Sequence, residues 1–292
     1  MSASDQQVAM LSVAYHSQQV LSDLAVSLGM QITQPYQWLV INNSPESAGS
    51  ISLEASCKTT IIRGIEGEGF SEGCNRGLEQ LQSSGWKGWV WLLNPDTTLP
   101  QQNTFAHLEE QLAQLPPNAL VGTAICDRNG LLEQSAGWID PGLDFRRRRI
   151  NQELHDDLRG LPINVDWVSG CSLIFKPSAH FVQPRFEASL PLYYEDMDLC
   201  LRLAGTGAPI LWLPSVRITH QGGKGSEVPS SRRIRLSTCS YIRFLQRHRS
   251  GWVLILRTIR LLLNSLIRLP FKPSQSLAAV QGWFEACRKP IA

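Results

Sequence analysis

Two periods of hydrophobicity alternate along the first half of the chain. Residues 8–14 (VAMLSVA) form a continuous apolar run, and 18–28 follow with apolar residues at helical spacing. A second apolar run, 38–41, ends in the turn-forming NNSPES, and 59–62 make a third. Helical spacing returns over 71–81, and 89–93 (WVWLL) are apolar throughout. Residues 102–115 predict a helix stopped by Pro116 and Pro117, and 119–125 a further strand. Helices alternating with strands that are apolar on both faces predict an α/β domain with a mostly parallel sheet covered by helices.

The second half is less regular. Residues 140–162, which include the basic run Arg146 to Arg149, predict a mobile loop. Strand character resumes over 165–175 (VDWVSGCSLIF), and 194–203 read as a short helix ended by Gly205. Two short strands, 209–213 and 216–219, lead into His220 and the glycine-rich QGGKG. After Ser226 the pattern is helical and basic to the end, so we expect one domain over 1–226 and a separate helical region over 227–292.

Composition changes this picture in three ways. With 43% hydrophobic and 18% charged residues in 292, the chain has an ordinary core and is not disordered. Its seven cysteines are scattered without a CxxC pair, which excludes a zinc site or a disulfide framework and predicts reduced thiols. The net charge of +2 conceals an asymmetry, because no Asp or Glu occurs from Val228 to Phe284, where ten Lys and Arg lie. On charge alone such a region suits lipid headgroups or nucleic acid.

Within it, residues 251–270 carry Arg257, Arg260 and Arg268 and make a poor membrane span. These arginines and Asn264 fall within an arc of about 80° on a helical wheel, with leucines and isoleucines over most of the rest. We therefore expect a helix lying on an anionic membrane surface, with no nucleic-acid partner; packing against the domain or a second subunit is the alternative. The polar start MSASDQQ has no signal-peptide pattern, so a cytoplasmic protein, peripheral on the inner face of the cell membrane, is expected.

Ligands of an open parallel sheet bind beyond the carboxyl ends of its strands. Tyr15 and His16, Asn42 and Asn43, and Asn94-Pro95-Asp96 all follow apolar strands. Asp96 reads as a carboxylate ligand for Mg²⁺ or Mn²⁺, or else as a turn residue or the cap of the next helix. Glu195 and Asp196 fall in a helix first turn, where the dipole favours an ionised general base, although acidic first turns are also common for stability. His220 offers a metal ligand, and Gly222, Gly223, Lys224 and Gly225 a phosphate cradle or a plain linker. The glycines of GEGFSEGCNRG miss GxGxxG spacing at Glu72, so a dinucleotide oxidoreductase is a weak reading. A nucleotidyltransferase would need a glycine- and basic-rich loop where AYHSQQ stands. A non-catalytic sugar-binding or scaffold protein stays open on fold alone.

Taken in order, LSVAYHS, LVINNSPES, GEGFSEGCNRGL, WLLNPDTTL, DWVSGCSLIF, LYYEDMDLCLRL and VRITHQGGKG resemble glycosyltransferase family 2, in particular its rhamnosyltransferase-like members. The resemblance spans about residues 11–225. It implies a GT-A fold with a nucleotide-binding half to about 125 and an acceptor-binding half to 226, and an inverting transfer from a nucleoside-diphosphate sugar to a saccharide or lipid-linked saccharide. It implies Asp96 and His220 at the metal, Asp196 as the base, and Lys224 beside Asn94 at the phosphates. Ala14, Tyr15 and Asn43 would line the nucleoside, and Gly69, Phe70 and Asn75 the base and ribose. Trp167, Gly170, Tyr194 and Glu195 would border sugar and acceptor. Asn42 replaces the family's usual Asp, Gly67 its Asn, and His16 stands where Asn is common.

Overall fold

In the computed structural model, which describes residues 6–45, 50–66, 68–133, 135–139, 147–150, 160–222 and 230–288, strands and helices alternate as expected. The first half runs β1 (Val8–Ala14), α1 (Gln18–Gly29), β2 (Gln37–Asn42), β3 (Thr59–Arg63), α2 (Phe70–Ser83), β4 (Trp89–Leu93), β5 (Thr97–Thr98), α3 (Thr104–Leu112) and β6 (Leu120–Cys126). The second contains β7 (Ala136–Ile139), β8 (Arg147–Arg149), β9 (Ile163–Asn164), β10 (Trp167–Val168), β11 (Ser172–Phe175), α4 (Glu195–Ala204) and β12 (Ile210–His220). Three helices close the chain: α5 (Ser230–His248), α6 (Gly251–Arg268) and α7 (Pro273–Arg288).

The main sheet has the order β3-β2-β1-β4-β11-β6-β12-β5, with β9 beside β12. β1 pairs in parallel with β2 and β4, β2 with β3, and β6 with β12; β11 is wedged antiparallel between β4 and β6. The strand order reverses direction at β1, and the loops after β1 and β4 therefore diverge around a crevice. Leu21, Leu24, Phe105 and Leu108 of α1 and α3 pack with Trp38, Trp91 and Ile174 on one face of the sheet. Cys74, Leu78, Met197 and Leu199 of α2 and α4 pack with Leu11, Leu92 and Trp212 on the other. Both faces are covered, which is why these strands carry apolar runs instead of alternation.

Four local expectations need correction. The run 165–175 is not one strand: it breaks into β10 and β11 at a turn over 169–171. The two strands expected over 209–219 are one, β12, whose register against β6 shifts between Leu213 and Arg217. Pro214 sits at that irregularity, where a missing N–H interrupts the ladder. Within the loop expected over 140–162, Arg147–Arg149 form β8 and pair antiparallel with β7; residues 140–146 and 151–159 lie outside the described residues. The helix after Asp96 starts only at Thr104.

α5 docks on the domain: Phe244 is buried in its core, and the Leu192 N–H donates to Ser240 Oγ at 3.1 Å. α7 packs closely on α5 at Gly282, where an added Cβ would lie 2.2 Å from the Arg235 carbonyl oxygen. Among the described residues no helix is long and apolar enough to cross a membrane. All seven cysteines are free thiols.

Candidate active site

The two residues of β5 pair antiparallel with the end of β12, Thr97 opposite His220. The Gln221 N–H donates to the Asp96 carbonyl at 2.8 Å, so Asp96 is tied to β12 and caps no helix. His220 Nε2 lies 3.3 Å from Asp96 Oδ2, and its Nδ1 lies 2.9 Å from Glu133 Oε2. The hydrogen bond that the ring donates to Asp96 raises the imidazole pKa to about 9; burial opposes this, and the Asp96 and Glu133 charges add to it. The imidazolium proton on Nε2 thus occupies the gap between a nitrogen and a carboxylate oxygen.

A divalent cation fits that gap. It would replace the proton and take Asp96 Oδ2 and neutral His220 Nε2 as ligands, with Glu133 holding the far ring nitrogen as carboxylates do behind metal-bound histidines. Among the described residues no group of three or more His, Cys, Asp or Glu is placed to hold a metal ion together. Two protein ligands leave the remaining positions to phosphate oxygens and water, which suits Mg²⁺ or Mn²⁺.

Asp196 lies in the first turn of α4. Its Oδ2 accepts the Gly170 N–H at 2.9 Å and its Oδ1 the Met197 N–H at 2.8 Å. The turn between β10 and β11 therefore exists to present an amide to this carboxylate. Cys171 joins the two ends of the site. Burial, then the charges of Asp96, Glu133 and Asp196, push its thiol well above the usual range.

The entry to α4 is strained. Tyr193 and Tyr194 adopt left-handed backbone at φ +64° and +68°, unfavourable for residues with a Cβ. The Tyr194 ring packs on α5, 5.5 Å from Tyr241 and 5.3 Å from Phe244, while Tyr193 is half exposed. Glu195 points inward instead of toward an acceptor. Its Oε2 is buried without a partner, and burial, reinforced by the Asp196 charge, raises its pKa well above the carboxylate range. Asp198 is fully buried and paired with Arg202, His248 and Arg247. Burial alone would raise its pKa, but the His248 hydrogen bond and the two arginines outweigh that and lower it.

The residues assigned to the nucleoside by resemblance differ in whether their side chains are already occupied. Tyr15 and the exposed His16 form the loop after β1, their rings edge to face at 4.6 Å, with His16 at φ +50°. Phe70 stands beside Gly170, whose added Cβ would lie 3.5 Å from its ring. Ala14 is fully buried, and its carbonyl accepts the Asn43 N–H at 2.9 Å. Asn43 is itself buried, and its Nδ2 donates to the carbonyl of Gly69 at 3.2 Å, bracing the start of α2. Gly69 donates to Glu72 Oε2 at 2.8 Å. Both ends of the Asn75 amide are occupied, donating to the Phe186 carbonyl at 2.9 Å and accepting its N–H at 2.8 Å. Asn94 is half-buried after β4, its N–H donating to the Cys171 carbonyl at 2.9 Å. Trp167 is buried in the core. Lys224, with Gly223 and Gly225, and also Gly67, lie outside the described residues.

Sequence reasoning missed Glu133, Tyr193 and the Asp198–His248 contact. Glu133 follows an unremarkable turn, and only the fold brings it to His220. The YYED string held the one usable signal, two bulky residues directly before an acidic helix start.

No protein-family profile matches the chain. Two strains of Mycobacterium tuberculosis each carry an N-acetylglucosaminyl-diphospho-decaprenol L-rhamnosyltransferase that is 24% identical over 262 residues, 83% of this chain and 85% of the relative. Among solved structures, GalNAc-T7 with UDP, GalNAc and Mn²⁺ superposes with a TM-score of 0.58 at 12% identity over 82% of this chain. The chain spans just under half of that protein, 47%. A mannosyltransferase from Pyrobaculum calidifontis in complex with GDP-Man and Mn²⁺ gives a TM-score of 0.52 at 14% identity, over 97% of this chain and 88% of its own length. The GT-A fold and the likeness to a rhamnosyltransferase expected from the sequence are borne out.

Proposed function

We propose that the chain is a metal-dependent, inverting glycosyltransferase that moves a sugar from a nucleoside-diphosphate donor onto an acceptor hydroxyl. The observation that carries this reading is His220 held between Asp96 and Glu133, next to a Gly170–Cys171 turn that bonds both Asp196 and Asn94, on a GT-A scaffold. Similarity to the mycobacterial relative favours rhamnose as the sugar and a lipid-linked saccharide as the acceptor. Its synthesis role would then lie in cell-surface polysaccharide or glycolipid.

In this mechanism the acceptor hydroxyl attacks the anomeric carbon from the face opposite the diphosphate. The new C–O bond forms as the bond to the diphosphate oxygen breaks, and the hydroxyl proton passes to Asp196. Gly170 and Met197 hold the Asp196 carboxylate in place through their amides. Asp96 and His220 would hold the metal, which when bound offsets the negative charge growing on the departing diphosphate. Glu133 keeps the His220 ring in the orientation that presents Nε2. Tyr15, Phe70 and Asn94 contact the donor, over the buried supports Asn43, Gly69 and Asn75. The helices after β12 would keep the enzyme peripheral on a membrane surface.

A thermal-shift panel of nucleoside-diphosphate sugars with and without Mg²⁺ or Mn²⁺ tests the reading. A donor that raises the melting temperature only with metal, followed by its turnover, is the expected result. If no such donor shifts melting with either metal, the reading is wrong.

A further inference from the structure

The first turn of α4 is held from behind. Tyr194 and Asp198 stand one helical turn apart, and the Asp198 N–H donates to the Tyr194 carbonyl at 2.8 Å. At roughly 100° per residue these two share a face of α4, and Asp196 lies about 160° round from either. Asp196 meets the Gly170 amide on its own side. The other side belongs to α5.

One face of α5 grips that side along its length. Ser240 Oγ accepts the Leu192 N–H at 3.1 Å, and the rings of Tyr241 and Phe244 lie 5.5 and 5.3 Å from that of Tyr194. Arg243 donates to the Ser189 carbonyl, and Arg247 pairs with Glu187. His248, its ring 4.8 Å from that of Phe244, ends the row with Nε2 2.8 Å from Asp198 Oδ1. These positions recur every three or four residues, so a single helix reaches from before the Tyr193–Tyr194 step to the end of the first turn of α4.

This grip takes the place of the usual fastening of a helix start. A short oxygen-bearing side chain normally caps the first turn, but the N-cap of α4 is Tyr194, whose side chain makes no capping hydrogen bond. Its left-handed backbone has a cost that the surrounding contacts must offset. His248 bonds the fully buried carboxylate of Asp198, two residues beyond Asp196, and so reaches furthest along α4.

We propose that His248 is a positioning residue for Asp196, acting through Asp198, and that α5 is part of the reaction centre although the sequence sets it in a separate region. The consequence for transfer rests on the reading of Asp196 as the base; the positioning does not.

Amide exchange in the full chain, read by NMR at Gly170, tests this without donor, metal or acceptor. Gly170 sits on the turn between β10 and β11 and reports on Asp196 Oδ2 through its hydrogen bond. His248→Ala should speed exchange at Gly170 about tenfold and shift its amide proton. His248→Gln, which returns a side-chain N–H donor, should stay within about twofold of wild type. Leu112→Ala, buried on the opposite face of the sheet, lowers stability without removing the His248 bond and should also stay within about twofold. His248→Asn, too short to reach Asp198, replaces the alanine variant if that one does not fold. Unchanged exchange at Gly170 once the bond is lost, or an equal rise in Leu112→Ala, would overturn the positioning role. With a working donor and acceptor, His248→Ala should lower kcat about tenfold and leave the KM for donor unchanged. A nucleotide-sugar panel that shifts no melting would count against the proposed function and leave the exchange result standing.

Discussion

The amide of Gly170 donates to Asp196 Oδ2 at 2.9 Å, joining the turn between β10 and β11 to the first turn of α4. Asp196→Asn keeps an oxygen to accept that bond and removes only the capacity to take a proton. Transfer should fall by roughly 10²–10⁴-fold, while metal-dependent donor binding stays within about twofold. Single-turnover assays beside donor titration check this; near-normal turnover would remove Asp196 from the chemistry.

Asp96→Ala and His220→Ala should each remove most of the metal dependence of donor binding, because among the described residues these two alone are proposed as metal ligands. Calorimetric titration of donor with and without Mn²⁺ distinguishes this from a structural role. Glu133→Gln should have a smaller effect, weakening metal affinity roughly 10–100-fold as loss of a supporting carboxylate does.

Asn75 separates a supporting residue from a contacting one. Asn75→Ala strands both the N–H and the carbonyl of Phe186 and should cost about 1–3 kcal/mol of stability. Nucleoside preference should not change. A variant of wild-type stability with altered donor choice would show that Asn75 touches the ligand.

Asp198 couples α4 to α5, and Asp198→Asn should destabilise the protein by about 3–5 kcal/mol by leaving half-buried Arg202 without its carboxylate and Arg247 with Glu187 alone. Its folded pKa is lowered, so its contribution is present above the ordinary Asp value and is lost as pH falls through the lower folded one. Wild-type melting temperature should therefore drop on acidification below about pH 4, and the variant's should drop less steeply. Parallel slopes would show that other carboxylates dominate acid unfolding.

Tyr193 tests whether strain before α4 serves a purpose. Tyr193→Gly relieves a left-handed residue and should leave stability unchanged or raise it by up to about 1 kcal/mol. Turnover with acceptor should fall, since a freer backbone holds Asp196 less firmly. Unchanged turnover would mark the strain as incidental.

Much of this was readable in the chain because burial on both faces leaves a plain mark. β1 and β4 match their apolar runs end to end, and α2 differs from its predicted span by three residues in all. What escaped was built from contacts distant in sequence. The pairing of β5 with β12 has no local pattern, since two threonines after a turn announce nothing. Glu195 and Asp198 look like neighbours of one kind in YYEDMD, yet one is buried without a partner for Oε2 and the other sits among three basic groups. Asn43 and Asn75, matched to ligand positions by resemblance, have side chains committed to backbone.

The union of β5 with β12 bears on how the enzyme comes into being. Asp96 leaves the ribosome with the first half of the chain, but His220 is the last residue of β12 and the two meet only once that strand has docked along β6. A nascent chain or a fragment ending before Ile210 would carry β1 to β4 and still lack the pairing of Asp96 with His220. On the roles proposed for Asp96, His220 and Asp196, donor capture would be withheld until synthesis had passed the helix bearing Asp196, so that binding and transfer of activated sugar would arise together.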